Sequence, residues 1–241
     1  MSFVSGAGHV VSQTIRFLTF QNAKIDEKEH GRSFFLAAIL FAWIAGIGRY
    51  WDHPDAAWWQ YAGLGSVLYI FFLSTFLFLI VWPLKPKRWS WLSIFIFVGL
   101  TSPLAWLYAI PVEQFLTPEL AIKVNVWFLA IVAIWRVALY AKFLWSYGGL
   151  RFYALVAALL APLSIIVMFL GSIQMETAAF EIMAGIEAER TPTQERASQG
   201  LNITLVLMFI SVISFPIWFV AYVIRVYLVV LERLNLPRIG K

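Results

Sequence analysis

The run VNVWFLAIVAIWRVALYAKFLW, residues 124–145, is apolar from end to end except for Asn125, Arg136 and Lys142. A hydrocarbon layer about 30 Å thick is crossed by roughly 20 apolar residues of helix, so this segment has the length of a membrane span. A guanidinium near its middle needs a reason.

Working outward, five further apolar runs read as spans, the first of them shorter than this length. The sequence predicts spans over Ser33 to Gly48, Tyr61 to Leu84, Trp89 to Ile110, Val124 to Trp145, Phe152 to Ile173, and Leu201 to Ile224, the last with a helical extension ended by Pro237. Pro103, Pro162 and Pro216 fall inside spans, where neighbouring helices satisfy the freed backbone groups. Composition agrees: 61% of residues are hydrophobic and 13% charged, against about 25% charged in soluble domains. The expected fold is therefore an all-α polytopic membrane helical bundle of six transmembrane helices.

Charge sets the expected orientation. Arg16, Lys24, Lys28 and Arg32 precede the first span; Lys85, Lys87 and Arg88 separate the second from the third; Lys142 and Arg151 lie around the turn between the fourth and fifth; Arg225, Arg233, Arg238 and Lys241 follow the sixth. All of these share one side. Only Arg49, Lys123, Arg190 and Arg196 fall on the other, with most of the acids. Lys and Arg concentrate on the cytoplasmic side of multi-pass proteins, so both termini are expected in the cytoplasm, of a bacterial inner membrane. The net charge of +5 then follows from topology, and no nucleic-acid partner is implied.

The expected domains are a cytoplasmic leader (1–32), a membrane domain (33–232) and a cytoplasmic tail (233–241). The leader is not read as a cleavable signal, because no apolar core ends at a small-residue cleavage site. Within it, Val11, Ile15 and Leu18 recur at helical spacing with Ser12, Arg16 and Thr19 turned away, which predicts an amphipathic helix on the membrane surface. A second amphipathic helix, extracytoplasmic, is predicted at about 174–190, with Met175, Ala179, Ile182, Met183 and Ile186 on one face and Glu181 and Glu189 on the other. WPLKPKRWSW reads as a tight turn in which Lys85, Lys87 and Arg88 meet lipid headgroups, at about 1 kcal/mol per cation near an anionic surface. Trp51, Trp58 and Trp59 suit the opposite interface.

A charge as deep as Arg136 costs at least about 2.5–3.5 kcal/mol on insertion scales, so a partner is expected. Asn125, Arg136, Tyr140 and Tyr147 share one face of span four. In span three, Pro103 cannot donate to residue 99, which frees the Gly99 carbonyl within GLTSP. At 1.5 Å per residue, Gly99 and Arg136 lie about 15 and 14 Å from the same ends of their spans. The predicted intramembrane polar site therefore comprises Arg136, Asn125, Tyr140, Thr101, Ser102 and Pro103. A second polar stripe, Thr204, Ser211, Ser214 and Pro216 in span six, serves as pore lining or packing. Arg136 is either structural glue or an anion-attracting group in a polar cavity.

Chemistry-bearing motifs are sparse. His53 between Asp52 and Asp55 is too small a donor set for a metal site. Asn202 to Thr204 matches a glycosylation acceptor but abuts a span. Cysteine is absent, and no phosphate loop or nucleophilic triad is found. The spans as drawn contain no Asp or Glu, which weighs against proton coupling. A catalytic loop such as IPVEQF, with Glu113, remains the weaker alternative to a non-enzyme, and no cofactor or metal is expected.

The stretch VNVWFLAIVAIWRVALYAKFLWSYGGLRFYALVAALLAPL, residues 124–163, resembles the later spans of Yip1-type small polytopic membrane proteins in its helix, glycine turn and helix. That family usually has five spans, against six here. The resemblance implies a scaffold or assembly protein that acts through partners. The expected function is accordingly a non-catalytic membrane scaffold or sensor subunit, in contact with membrane lipid and associating with itself, a membrane partner or a cytoplasmic protein. The alternative is an ion channel or small-solute transporter with Arg136 lining its cavity.

Overall fold

A computed structural model describes residues 3–51, 56–172 and 193–234, and every regular element among them is helical. Helices α1 (Phe3–Leu18), α2 (Glu27–Tyr50), α3 (Trp58–Tyr61), α4 (Leu64–Val81), α5 (Trp91–Leu100), α6 (Pro118–Ser146), α7 (Phe152–Ser172) and α8 (Thr193–Arg233) follow in order, with 3-10 stretches at Trp82–Leu84, Ser102–Ala109 and Val112–Gln114. Six segments are long and apolar enough to cross a membrane: Glu27–Tyr50, Leu64–Leu84, Trp91–Ala109, Lys123–Ser146, Phe152–Phe169 and Phe209–Leu231. These correspond one to one to the six expected spans. The first is longer than expected, because the charged residues Glu27 to Arg32 join its helix. The last runs past Arg225 to Leu231 without a break. The expected outer helix at 174–190, the His53 group and the tail beyond Leu234 lie outside the described residues.

Local sequence explains the helix starts. Asp26 caps α2, its carboxylate accepting from the backbone N–H of Lys28 at 2.8 Å and of Glu29 at 3.3 Å, and Glu27 and Glu29 add negative charge where the helix dipole is positive. Ser90 caps α5 by accepting from the Ser93 N–H at 2.9 Å. Its hydroxyl also donates to Glu27 Oε2 at 2.8 Å, which binds the starts of α2 and α5 to each other.

The chain divides into two compact units, one formed by Met1–Phe78 with Trp89–Phe143 and the other by Leu79–Arg88 with Leu144–Lys241. In the first, α2 presents Gly31, Phe34, Ala38, Ala42, Ala45 and Gly46 as one buried stripe. Between apolar helices in lipid, association depends on close contact rather than on water exclusion, so small residues matter. Gly99 shows how close: a Cβ there would overlap Ala38. Phe95 stacks on Phe35 at 4.7 Å and on Trp91 at 5.0 Å, and Phe97 on Phe143 at 4.5 Å.

Helix α1 reaches from α2 past α5 to α6. His9 lies 4.8 Å from His30, Phe17 meets Phe97 edge-on at 5.7 Å, and the Trp135 indole N–H donates to the Leu18 carbonyl at 2.9 Å. Lys142 donates to the carbonyls of Phe20 and, at 2.9 Å, Gln21. Leu18 is the last residue of α1, and Phe20 and Gln21 lie in the turn that follows it, so both donors sit at the negative end of the helix. The face buried on the protein is Val10, Gln13, Thr14 and Phe17, while Val11 and Ile15 of the expected apolar stripe stay exposed. The helix is thus apolar on two sides, one of them turned away from the bundle.

In the second unit α7 packs on α8 through an alanine-rich face, Ala154, Ala157, Ala158 and Ala161, with Pro162 buried beside it. The Ser164 and Ser214 hydroxyls meet at 3.2 Å, and the Tyr222 hydroxyl donates to the Ile80 carbonyl at 3.1 Å.

Candidate intramembrane site around Arg136

The site begins with a break in the third span. Helix α5 ends at Leu100 and the chain tightens into a 3-10 stretch from Ser102. Pro103 has no N–H to continue the α ladder, and the tighter i to i+3 pattern takes over: the Leu104 N–H donates to the Thr101 carbonyl at 3.3 Å. That carbonyl also accepts from Arg136 Nη2 at 3.4 Å. Arg136 therefore reaches the expected GLTSP segment, two residues beyond the carbonyl singled out in the sequence. The Thr101 hydroxyl does not face the guanidinium as a partner; it donates back to the Val98 carbonyl at 2.7 Å. Thr101 and Ser102 are both buried.

One hydrogen bond at 3.4 Å is long against the usual 2.9–3.0 Å and serves a group with five donors. Arg136 Nε is enclosed and has no hydrogen-bond partner among the described residues. A buried donor left unpaired costs about 1–3 kcal/mol, more when charged. Tyr69 of α4, Tyr108 of the 3-10 stretch and Arg49 of α2 lie close enough to act on the Arg136 charge. None of the three is a carboxylate. The Arg49 guanidinium sits over the Tyr108 ring, Cζ 5.5 Å from its centroid, a cation–π arrangement.

Two contacts hold Arg49 and Tyr108 together. The Trp51 indole N–H donates to the Ala109 carbonyl at 3.1 Å. Gly48 lies so near that a Cβ there would come within 2.8 Å of the Ala109 Cβ. Arg49, Tyr69, Tyr108 and Arg136 thus come from four elements of the first unit, and the two charged groups among them are both cationic.

The remaining expected residues divide between several places. Tyr140 is buried, 5.7 Å from Phe97, and serves the aromatic core. Asn125 is half-buried further along α6. Ser211 and Ser214 lie in the α7–α8 packing, where the Ser214 hydroxyl donates to the Ser211 carbonyl at 3.1 Å; Pro216 is exposed within α8. The Thr204 side chain lies outside the described residues. Lys85, Lys87 and Arg88 are all exposed. Lys85 adopts a left-handed conformation that closes the turn, and the Lys87 N–H donates to the Gly148 carbonyl at 2.8 Å.

Arg49, Tyr69 and Tyr108 are absent from the expected site. Arg49 reads in sequence as an ordinary outer-loop cation, and only the meeting of the α2 end with the 3-10 stretch reveals its second setting. Compared with known proteins, the chain matches no family model, no curated protein and no solved structure.

Proposed function

We propose that this multi-pass membrane protein is a non-catalytic scaffold or sensor subunit, acting through association with itself or a partner protein, in a bacterial inner membrane with both termini cytoplasmic. The observation that carries this reading is the fastening of α1 to the bundle by Trp135 and Lys142. The fastening gives α1 a fixed place beside the start of α2, and α1, the linker and the start of α2 expose Arg16, Lys24, Lys28 and Arg32 among the acids Asp26 and Glu29. A fixed surface of interspersed charge with a slight positive excess docks a cytoplasmic protein of complementary charge pattern. The resemblance of residues 124–163 to Yip1-type proteins supports the same class.

The test is purification of the tagged chain from its native membrane in mild detergent, followed by native mass determination. A stoichiometric partner or a defined homo-oligomer is expected. A bare monomer, unchanged by reversing Arg16, Lys24 and Lys28 to glutamate, contradicts the proposal.

A second reading, an ion channel or small-solute transporter, is favoured by one feature, the unpartnered Nε of Arg136. Anion flux into liposomes that changes in Arg136→Ala supports it; absence of flux removes it.

A further inference from the structure

Helix α1 descends as it crosses the bundle. The Ser90–Glu27 bond sets the starts of α2 and α5 at one level. The charged residues of α2 end at Arg32, about 7.5 Å beyond Glu27 at 1.5 Å per residue. His9 of α1 meets His30, short of that level. Phe17 meets Phe97, about 10 Å beyond Ser90. The pairs Phe97–Tyr140 and Thr101–Arg136 show that α6 runs opposite to α5. Trp135, the donor to the Leu18 carbonyl, therefore lies deeper than Phe97, about 16 Å beyond Ser90. The first turns of α1 lie among the headgroups and its end lies among acyl chains.

At such depth a helix end needs its donors from the protein. The N–H groups of Thr19, Phe20 and Gln21 donate to the carbonyls of Ile15, Phe17 and Arg16 at 3.0, 3.1 and 2.8 Å, a closed C-terminal cap. Trp135 and Lys142 occupy the carbonyls of Leu18, Phe20 and Gln21. On the returning leg the Lys24 N–H donates to the side chain of buried Gln13 at 2.7 Å. The cap holds Phe20 at φ 59°, a conformation usual for glycine. A glycine there would relieve the strain and lose the ring, which lies 5.8 Å from Trp135. Both rings are exposed, as are Ile131 and Ile134 of α6 and Val11 and Ile15 of α1. One apolar surface thus continues from a membrane span onto α1, and lipid that covers the first covers the second. Arg16 lies about 100° round the helix from Ile15. Side chains lean toward a helix N-terminus, so in this descending helix the Arg16 guanidinium leans back to the headgroups.

We propose that residues 7–26 form a helix that dips into the leaflet at this end of the bundle and a loop that returns from it, with Val11, Ile15 and Phe20 against lipid acyl chains. The scaffold reading does not depend on this insertion, which adds a lipid contact to it.

The chain has no cysteine, so nitroxides placed one at a time on Gly8→Cys, Val11→Cys, Ile15→Cys and Thr19→Cys report the outward side of α1. A Cβ at Gly8 meets open space, and the other three residues are exposed. The full chain is reconstituted in liposomes of phosphatidylcholine and phosphatidylglycerol, and each label's collisions with oxygen and with a water-soluble nickel chelate give its depth. Oxygen should dominate at Val11, Ile15 and Thr19, and depth should increase from Gly8 to Thr19 by about 5–10 Å. A label on Lys28→Cys, in the first turn of α2, should favour the nickel chelate. Should Thr19→Cys not fold, Gly8→Cys against Ile15→Cys decides, with a difference of about 3–6 Å. Equal depth along the series makes α1 a flat surface helix and overturns the insertion. Dominance of the nickel chelate at Ile15 places α1 in water and overturns it too. Protection of Val11 and Ile15 from both reagents shows a protein cover, such as a second copy, and overturns lipid as the occupant.

Discussion

At the scale of single residues, Arg136 and Gly99 carry opposite lessons. Removing one partner of a well-paired buried charge costs about 3–5 kcal/mol, whereas exchanging a poorly satisfied one for an apolar side chain of similar size is neutral or stabilising. With one long bond and an orphaned Nε, Arg136 belongs to the second case. Arg136→Met is therefore expected to stay within about 1 kcal/mol of wild type, or above it, in denaturant unfolding in mixed micelles. A loss of about 3 kcal/mol or more would make the arginine structural glue. Gly99 is the reverse: it is chemically inert and sterically indispensable. Gly99→Ala puts a methyl group into Ala38, and the same unfolding assay should show a loss of about 1–3 kcal/mol from overpacking. The sequence made Arg136 conspicuous, because a charge in an apolar run is visible without a structure. It pointed to the GLTSP segment by the missing N–H of Pro103, yet the acceptor is the Thr101 carbonyl, because the chain answers the proline by tightening into 3-10 geometry. Arg49 and Tyr108 could not be paired from sequence, since their contact depends on how closely α2 and the third span approach.

At the scale of elements, spans were legible and surfaces were not. Runs of apolar residues with the right length fix where a helix crosses, whatever its neighbours. The orientation of α1 is a different problem: Val10, Phe17, Val11 and Ile15 give it two apolar faces, and only its contacts with Phe97 and Trp135 select the first pair for the protein. Those contacts make a prediction. Trp135→Phe and Lys142→Met each delete donors to the carbonyls at the end of α1, at about 0.5–1.5 kcal/mol per lost bond. Hydrogen exchange of residues 7–18 should rise in both variants while α5 stays protected; unchanged protection of α1 would show that the helix is held by other means. The start of α2 responds to acid. Backbone N–H groups of Lys28 and Glu29 hold the Asp26 carboxyl below its ordinary value, so its contribution is fully present above the unfolded-chain pKa of about 3.9 and is lost as pH falls through the lower folded value. The difference in unfolding midpoint between wild type and Asp26→Asn should accordingly shrink as pH drops below about 4. A difference that persists or grows there contradicts the cap.

At the scale of the whole molecule, the proposed orientation rests on the placing of lysine and arginine, and every functional reading depends on it. The charged surface of α1 and α2 serves a cytoplasmic partner only if it faces the cytoplasm. The chain has no cysteine, so a single introduced thiol reports its own position. The measurement is labelling of Lys24→Cys, Lys87→Cys and Gln114→Cys, one at a time, in intact cells and in inverted membrane vesicles, with a thiol reagent that does not cross the bilayer. Lys24→Cys and Lys87→Cys should react only in inverted vesicles and Gln114→Cys only in intact cells. Labelling of Lys24→Cys or Lys87→Cys in intact cells, or of Gln114→Cys from the same side as Lys24→Cys, would contradict the account.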